Sequence, residues 1–135
     1  MATIVDAEIG RDHYQVTLIA GKNTVIADEG ETKGGQDKGF DPFQLFLSSL
    51  GACTCATVRM YADRKEMKLE KIHVHLIMER DDEKNETKIS RNVQLTGNLS
   101  DEERQRLLDI ANKCPVHKIM THPIHIQTEM LNAQI

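Results

Sequence analysis

The chain has 135 residues, which is enough for one domain with a hydrophobic core over residues 1–135 but too few for two domains. Its formal net charge of −4 disfavours nucleic acid or an anionic membrane surface as the main partner. The N-terminus carries no basic region followed by an apolar stretch, and three cysteines are an odd number for a secreted disulfide framework. We therefore expect a soluble, cytoplasmic protein.

The N-terminal part of the chain predicts β-structure followed by a polar loop. Residues 3–9 and 13–19 are typical of two strands joined by a turn at Gly10, and residues 24–27 predict a third strand. Residues 29–40 are polar and glycine-rich, so we expect a mobile loop there. This loop is either a simple connector or one wall of a functional site.

Residues 41–65 predict one long helix. Asp41 can cap its first turn, and Pro42 occupies the first helical position, where a missing N–H costs nothing. No charge lies between Asp41 and Arg59, so the helix must be buried on nearly all sides. The uncharged run of about 17 residues is too polar for a membrane span. The three-and-four spacing of one helical face includes Phe43, Phe46, Leu47, Leu50, Cys53, Thr57, Val58 and Tyr61.

A hairpin is expected after the helix. Residues 70–80 alternate between apolar and polar side chains, residues 81–85 form a turn, and residues 88–96 predict the returning strand. Arg91 falls on the same face of this second strand as its apolar side chains. An inward arginine needs an acceptor, so Arg91 belongs either to a structural ion pair or to an anion-handling site.

The C-terminal part predicts a second helix and a last strand. Ser100 and Glu103 form a capping box that opens the helix. Pro115 interrupts the helix, with a short turn expected over residues 116–121 and a final strand over residues 124–128. The element order predicts an α+β domain with helices packed on sheet. The inward stripe of the second helix consists of Leu107, Ile110, Ala111 and Cys114.

The cysteines are the residues best suited to chemistry. Cys53 and Cys55 lie roughly 200° apart around the first helix, so they cannot bond to each other there. Any internal disulfide must join one of them to Cys114. Cys53 lies on the dominant apolar stripe and can face Cys114, whereas Cys55 lies nearer the flank that carries Arg59. That arginine would lower the pKa of the Cys55 thiol if the thiol were exposed.

Two other interpretations of these cysteines remain open. All three can be small buried hydrophobic residues without a chemical role. Alternatively, Cys53, Cys55, Cys114 and His117 supply four zinc ligands of the right kind. The pair in the middle of the helix spreads its thiolates to opposite sides, however, so four-coordinate closure would need a distorted helix. We expect no metal and no cofactor.

Three segments carry a resemblance to a known family: GGQDKGFDPFQLFLSSLGACT at residues 34–54, RNVQLTGNLS at residues 91–100 and DIANKCPVHKIM at residues 109–120. Together they resemble the OsmC/Ohr family of thiol peroxidases, and are most similar to the OsmC-like branch with an ACT and a CPVH motif. The resemblance covers about residues 16–128. It implies an OsmC-like fold, with antiparallel sheets packed on a long central helix, in an intertwined homodimer.

The resemblance also implies a two-cysteine redox centre. Cys53 would be the peroxidatic cysteine and Cys114 the resolving one, in an enzyme of oxidative-stress defence. Such a cysteine attacks the peroxide as a thiolate, becomes a sulfenic acid and is resolved by a second thiol. The implied partners are a hydroperoxide substrate and a dithiol reductant, and an apolar lining favours organic hydroperoxides over hydrogen peroxide.

The sequence departs from the family pattern at the start of the helix. In the related hydroperoxide reductases a glutamate follows the helix-opening proline and orients a catalytic arginine, whereas this chain has Phe43 there. Arg11 is the counterpart of that arginine, and Arg91 and Arg59 are the other candidate cations. Cys55 is an additional thiol. The alternative functions are a non-catalytic small-molecule-binding protein and a zinc-stabilised structural module.

Overall fold

A computed structural model of the protein describes residues 2–131. The predicted α+β class, antiparallel strands and long helix are confirmed. Among the described residues, no helix is both long and apolar enough to cross a membrane. A short 3-10 turn at Glu31–Lys33 precedes the long helix. The elements in chain order are β1 (Asp6–Glu8), β2 (Val16–Ala20), β3 (Asn23–Ala27), α1 (Pro42–Arg64), β4 (Leu69–Asp81), β5 (Glu86–Gly97), α2 (Asp101–Ala111) and α3 (Pro115–Met120).

The chain divides into two compact units. The first comprises Met1–Ala52 with His75–Asn92, and the second comprises Cys53–Val74 with Val93–Ile135. The helix α1 and the paired strands β4 and β5 each contribute residues to both units.

The first unit contains a three-stranded antiparallel sheet in the order β1-β2-β3. Along the second pair, Val16 lies opposite Ala27 and Ala20 lies opposite Asn23. The two-residue loop between these strands begins with Gly21, which has a φ of +62°. Only glycine adopts this conformation without a steric penalty, and this tight turn sets the register of β2 against β3.

A buried aspartate organises the loop that leads to α1. Asp28 is only 2% exposed. Its Oδ1 accepts hydrogen bonds from the backbone N–H groups of Tyr14 at 3.3 Å and Glu29 at 2.8 Å. Its Oδ2 accepts from those of Gln36 at 3.2 Å and Lys38 at 3.1 Å. Four donors from three places in the chain therefore converge on one carboxylate.

The same loop returns alongside β3. The backbone N–H of Asp28 donates to the carbonyl of Phe40 at 3.1 Å, next to an isolated bridge between Ala27 and Phe40. A Cβ at Gly35 would collide with the Glu29 carbonyl, so only glycine fits there. Residues 29–40, which we expected to be mobile, are thus held by backbone hydrogen bonds just before α1 begins.

The predicted cap of α1 is confirmed. The Asp41 carboxylate accepts from the Gln44 backbone N–H at 2.7 Å, and the Gln44 side chain accepts from the Asp41 backbone N–H at 2.9 Å. This reciprocal pair is a capping box, which satisfies two N–H groups that a helix start leaves without partners. The helix begins at Pro42 as expected.

The second unit has its own hydrophobic core. The predicted stripe of α2 is confirmed for three of its four members, because Leu107, Ile110 and Ala111 are buried. The capping box at Ser100 and Glu103 is also present. Burial of a side chain such as Leu107 stabilises the fold by about 1.5–3 kcal/mol. The core consists of Val58, Ala62, Leu69, Leu107, Ile110 and Ala111.

Two expectations about these elements are wrong. First, α2 ends at Ala111, and Cys114 is instead the N-cap of α3, because the proline at position 115 suits a helix start better than a helix interior. Second, residues 123–131 contain no strand among the described residues. Ile124 and Ile126 are 59% and 85% exposed, and their alternation alone does not form a strand without a partner to pair with.

The predicted burial of α1 on nearly all sides is not reached within one chain. Phe46 and Met60 are 45% and 65% exposed, and Ala52 and Ala56 are exposed as well. At about 100° per residue, these four positions fall within about 120° around the helix axis. A single chain therefore leaves one apolar face of α1 uncovered.

Replacing Asp28 by Asn is expected to destabilise the first unit, because an amide nitrogen cannot accept the N–H bonds that one carboxylate oxygen receives. Burial alone would raise the pKa of Asp28, but the N–H groups of Lys38, Tyr14, Gln36 and Glu29 together lower it below its ordinary value of 3.8. The stabilisation is complete above that value and is lost as the pH falls through the lower folded-state pKa. Asp28→Asn should flatten this acid limb of the stability curve.

The measurement is the free energy of unfolding by urea between neutral and acidic pH. Asp37→Asn is the matched control, since Asp37 is an exposed carboxylate in the same loop. If the two variants have the same stability at every pH, the Asp28 carboxylate does not hold the loop.

Candidate active site

Cys53 lies in the middle of α1 and is half-buried. Its Sγ is 3.8 Å from the hydroxyl oxygen of Thr57, one helical turn further along. The thiol is therefore partly accessible and has a polar neighbour on the same helix. Both properties suit a residue that must meet a small substrate.

Cys114 is fully buried at the start of α3. Its Sγ accepts a hydrogen bond from the backbone N–H of His117 at 3.4 Å. It also lies 3.8 Å from the hydroxyl oxygen of Thr54, where either atom can donate. Thr54 is next to Cys53 in sequence, so Cys114 packs against the turn of α1 that carries Cys53.

Thr54 is not among the residues predicted from the sequence for this site. Cys53 and Thr57 were expected on the inward stripe of α1, but both are only half-buried. The most buried positions follow a spacing of four residues instead, and are Leu50, Thr54, Val58 and Ala62. Three of these four are apolar, and this spacing was the signal that could have identified Thr54 as the fourth.

Cys55 is a different kind of thiol. It is half-buried, and burial raises the pKa of the Cys55 thiol. The expected help from Arg59 is absent, because this guanidinium bonds to the Asp63 carboxylate at 2.9 Å and to the Leu69 carbonyl at 2.6 Å. Arg59 thus ties the end of α1 to the start of β4, and Cys55 is not the exposed thiol whose pKa this arginine was expected to lower.

The other two candidate arginines belong to the first unit. Arg11 is exposed in the turn before β2. Arg91 is half-buried and shares its strand face with Ile89 and Val93, so its inward direction is confirmed. Neither observation selects one of them as an activating cation.

Phe43, the residue after the helix-opening Pro42, has two cationic neighbours. The Arg80 guanidinium lies 4.2 Å from the centre of its ring, and the Lys33 ammonium lies 5.4 Å from it. A cation over an aromatic face is attracted by the ring quadrupole. The Phe43 ring thus has two cationic groups over it.

The second unit contains a cavity of about 300 Å³ that is bordered by residues adjacent to Cys53 and to Cys114. Thr57, which contacts Cys53, and Pro115, which follows Cys114, both border it. The Tyr61 hydroxyl accepts a hydrogen bond from Arg106 at 2.9 Å, and this bond lowers the pKa of Tyr61. The cavity is lined by Thr57, Met60, Tyr61, Arg64, Ile110, Lys113 and Pro115.

The residues of the zinc interpretation are all described by the structure. Between residues 2 and 131, no group of three or more His, Cys, Asp or Glu side chains is placed to hold a metal ion. The three cysteines are free thiols.

Comparison with solved structures identifies the fold. An OsmC-like protein from Mycoplasma pneumoniae superposes with a TM-score of 0.76 at 22% identity, covering 89% of this chain and 87% of that chain. The organic hydroperoxide resistance protein OsmC of Legionella pneumophila gives 0.66 at 23% identity, covering 90% of each chain. OhrB, the organic hydroperoxide resistance protein of Bacillus subtilis, gives 0.61 at 21% identity, covering 90% of this chain and 91% of that chain.

At such low identities these likenesses establish the fold alone. None of the curated proteins compared with this sequence matches it significantly. The family model described as "OsmC-like protein" matches residues 35–129, which is more than half of the chain and includes all three cysteines. The chain therefore belongs to the OsmC-like protein family.

Proposed function

We propose that this protein is a thiol-dependent peroxidase that reduces organic hydroperoxides in oxidative-stress defence. The observation that carries the proposal is the packing of Cys114 against Thr54, beside Cys53 on α1. Cys53, which is half-buried, and Cys114, which is buried, thus lie at the same turn of α1. Two proteins of similar fold are named for organic hydroperoxide resistance, which supports the same reaction.

The proposed reaction has two steps. The Cys53 thiolate attacks the outer oxygen of the hydroperoxide, the O–O bond breaks, and the alkoxide leaves as an alcohol after taking a proton. Cys53 is then a sulfenic acid. The Cys114 thiolate attacks its sulfur, hydroxide leaves and is protonated to water, and a disulfide forms. A dithiol reductant returns both residues to thiols by exchange.

The exposure of the thiols supports this assignment of roles. Cys53 is half-buried and within reach of a small substrate, whereas Cys114 is 0% exposed. The raised pKa of Cys55 leaves less of it as the reactive thiolate at neutral pH. The neighbouring cavity has apolar walls from Met60, Ile110 and Pro115, which favour an organic substrate over hydrogen peroxide.

A cytoplasmic location is part of the proposal, because three free thiols suit a reducing compartment.

Arg11 and Arg91 remain sequence-based candidates for the activating cation. The cavity also favours a second candidate function, in which the protein binds a small apolar molecule without turning it over.

Cysteine substitutions test the reaction. Cys53→Ser should abolish the consumption of cumene hydroperoxide, a fall of at least about 100-fold, because no other thiol has the proposed role. Cys114→Ser should allow one turnover and then accumulate sulfenic and sulfinic acid on Cys53. Cys55→Ser is the matched control and should keep most of the activity. Peroxide consumption and mass spectrometry of each cysteine are the measurements.

The opposite pattern would overturn the assignment. A sulfenic acid on Cys55 would mean that Cys55 is the attacking thiol. Equal, negligible turnover in the wild type and all three variants would instead favour the binding function. Calorimetry with cumyl alcohol as the ligand would then test that function.

We further propose that the protein is a homodimer in which α1 contacts α1 of a second copy. The support is the uncovered face of α1, which contains Phe46, Ala52, Ala56 and Met60. Small residues allow two helix backbones to approach closely, and the large apolar residues would leave water on contact.

Sedimentation should therefore show a dimer at micromolar concentration. Ala56→Arg should weaken association at least about tenfold, because it buries an unpaired charge between the helices. Gln105→Arg adds the same charge at an exposed position of α2 and is the control. A stable, folded wild-type monomer under these conditions would rule out the proposed dimer.

A further inference from the structure

Thr54 is a polar residue in an otherwise apolar stripe. Its neighbours one turn away on either side are Leu50 and Val58, both of which are also buried. Thr54 is itself 0% exposed. Burial of a hydroxyl costs free energy unless it is hydrogen-bonded, and valine would fill the same volume without that cost. The buried Thr54 hydroxyl is therefore expected to contact polar groups.

Cys114 provides such a contact. Its Sγ accepts from the backbone N–H of His117 at 3.4 Å, and a backbone N–H can only donate. The Thr54 hydroxyl lies 3.8 Å from the same sulfur and can donate or accept. When Cys114 is a thiolate, both groups can donate to it, and hydrogen bonds to the charged form favour that form.

We propose that Thr54 is a positioning residue for the resolving thiol. Its hydroxyl stabilises the Cys114 thiolate and holds the sulfur against the turn of α1 that carries Cys53. This inference rests on the proposed function and concerns its second step. Thr54 thereby determines how quickly the sulfenic acid is resolved, and leaves the first attack on the peroxide to Cys53.

The consequence is a competition between two fates of the Cys53 sulfenic acid. In one, the Cys114 thiolate forms the S–S bond and water is released. In the other, a second hydroperoxide molecule oxidises the sulfenic acid to a sulfinic acid and is itself reduced to an alcohol. A slower Cys114 shifts the outcome towards the sulfinic acid.

The test compares Thr54→Val, which removes the hydroxyl, with Thr54→Ser, which retains it. In single-turnover experiments with cumene hydroperoxide, Thr54→Val should form sulfenic acid at the wild-type rate but close the disulfide about tenfold more slowly. Its fraction of sulfinic acid should rise accordingly, and Thr54→Ser should restore the wild-type ratio. Thermal unfolding checks that both variants fold.

A second readout does not require peroxide chemistry. In a Cys53→Ser background, Cys114 should react with iodoacetamide more slowly in Thr54→Val than in Thr54→Ser at one fixed pH. If this difference is present but the wild type forms no sulfenic acid, the proposed function fails and the thiolate stabilisation stands. If Thr54→Val closes the disulfide at the wild-type rate, or slows both steps equally, the role of Thr54 is overturned.

Discussion

The burial of one side of α1 is the constraint on which the rest of the structure depends. The helix carries no charge from Pro42 to Val58, so exposing most of its surface to water is unfavourable. In the second unit, Val58 and Ala62 pack with Leu107, Ile110 and Ala111 of α2. This packing holds the end of α2 beside α1, and the chain that follows α2 brings Cys114 to the same helix. The contact between Thr54 and Cys114 is a result of that apolar packing.

In the first unit, a polar, glycine-rich loop leads into α1 in one defined conformation. Loops usually leave their backbone groups to water. Here the Asp28 carboxylate accepts three N–H groups of the loop and a fourth from Tyr14. A carboxylate that accepts several N–H bonds stays ionised despite its burial. The loop therefore ends at a fixed place beside β3, directly before the cap at Asp41. A single charged residue thus orders the approach to α1.

The chemistry of the three thiols follows from small differences in environment. Cys53 is half-buried beside a threonine hydroxyl, Cys114 is fully buried between a hydroxyl and a backbone N–H, and burial raises the pKa of Cys55. In the proposed reaction these identical side chains take different roles: Cys53 attacks the substrate, Cys114 resolves the product of that attack, and Cys55 stays unreactive. The proposed peroxidase activity uses these differences, and membership of the OsmC-like family makes them chemically coherent.

Local signals in the sequence determined most of the elements, although the strand predicted over residues 124–128 is absent from the described part of the chain. The alternation in β4 and β5, the cap at Asp41 and the capping box at Ser100 depend on residues within a few positions of each other. Its motifs also identified the family. Only the tertiary structure decided that Thr54 rather than Cys53 contacts Cys114, that Arg59 is bound to Asp63 and Leu69, and that Asp28 orders its loop. Each of these facts joins groups from separate segments or selects among neighbouring positions on one helix. Periodicity locates a helical face to within about one residue, and the packed neighbours decide which residue on that face is buried.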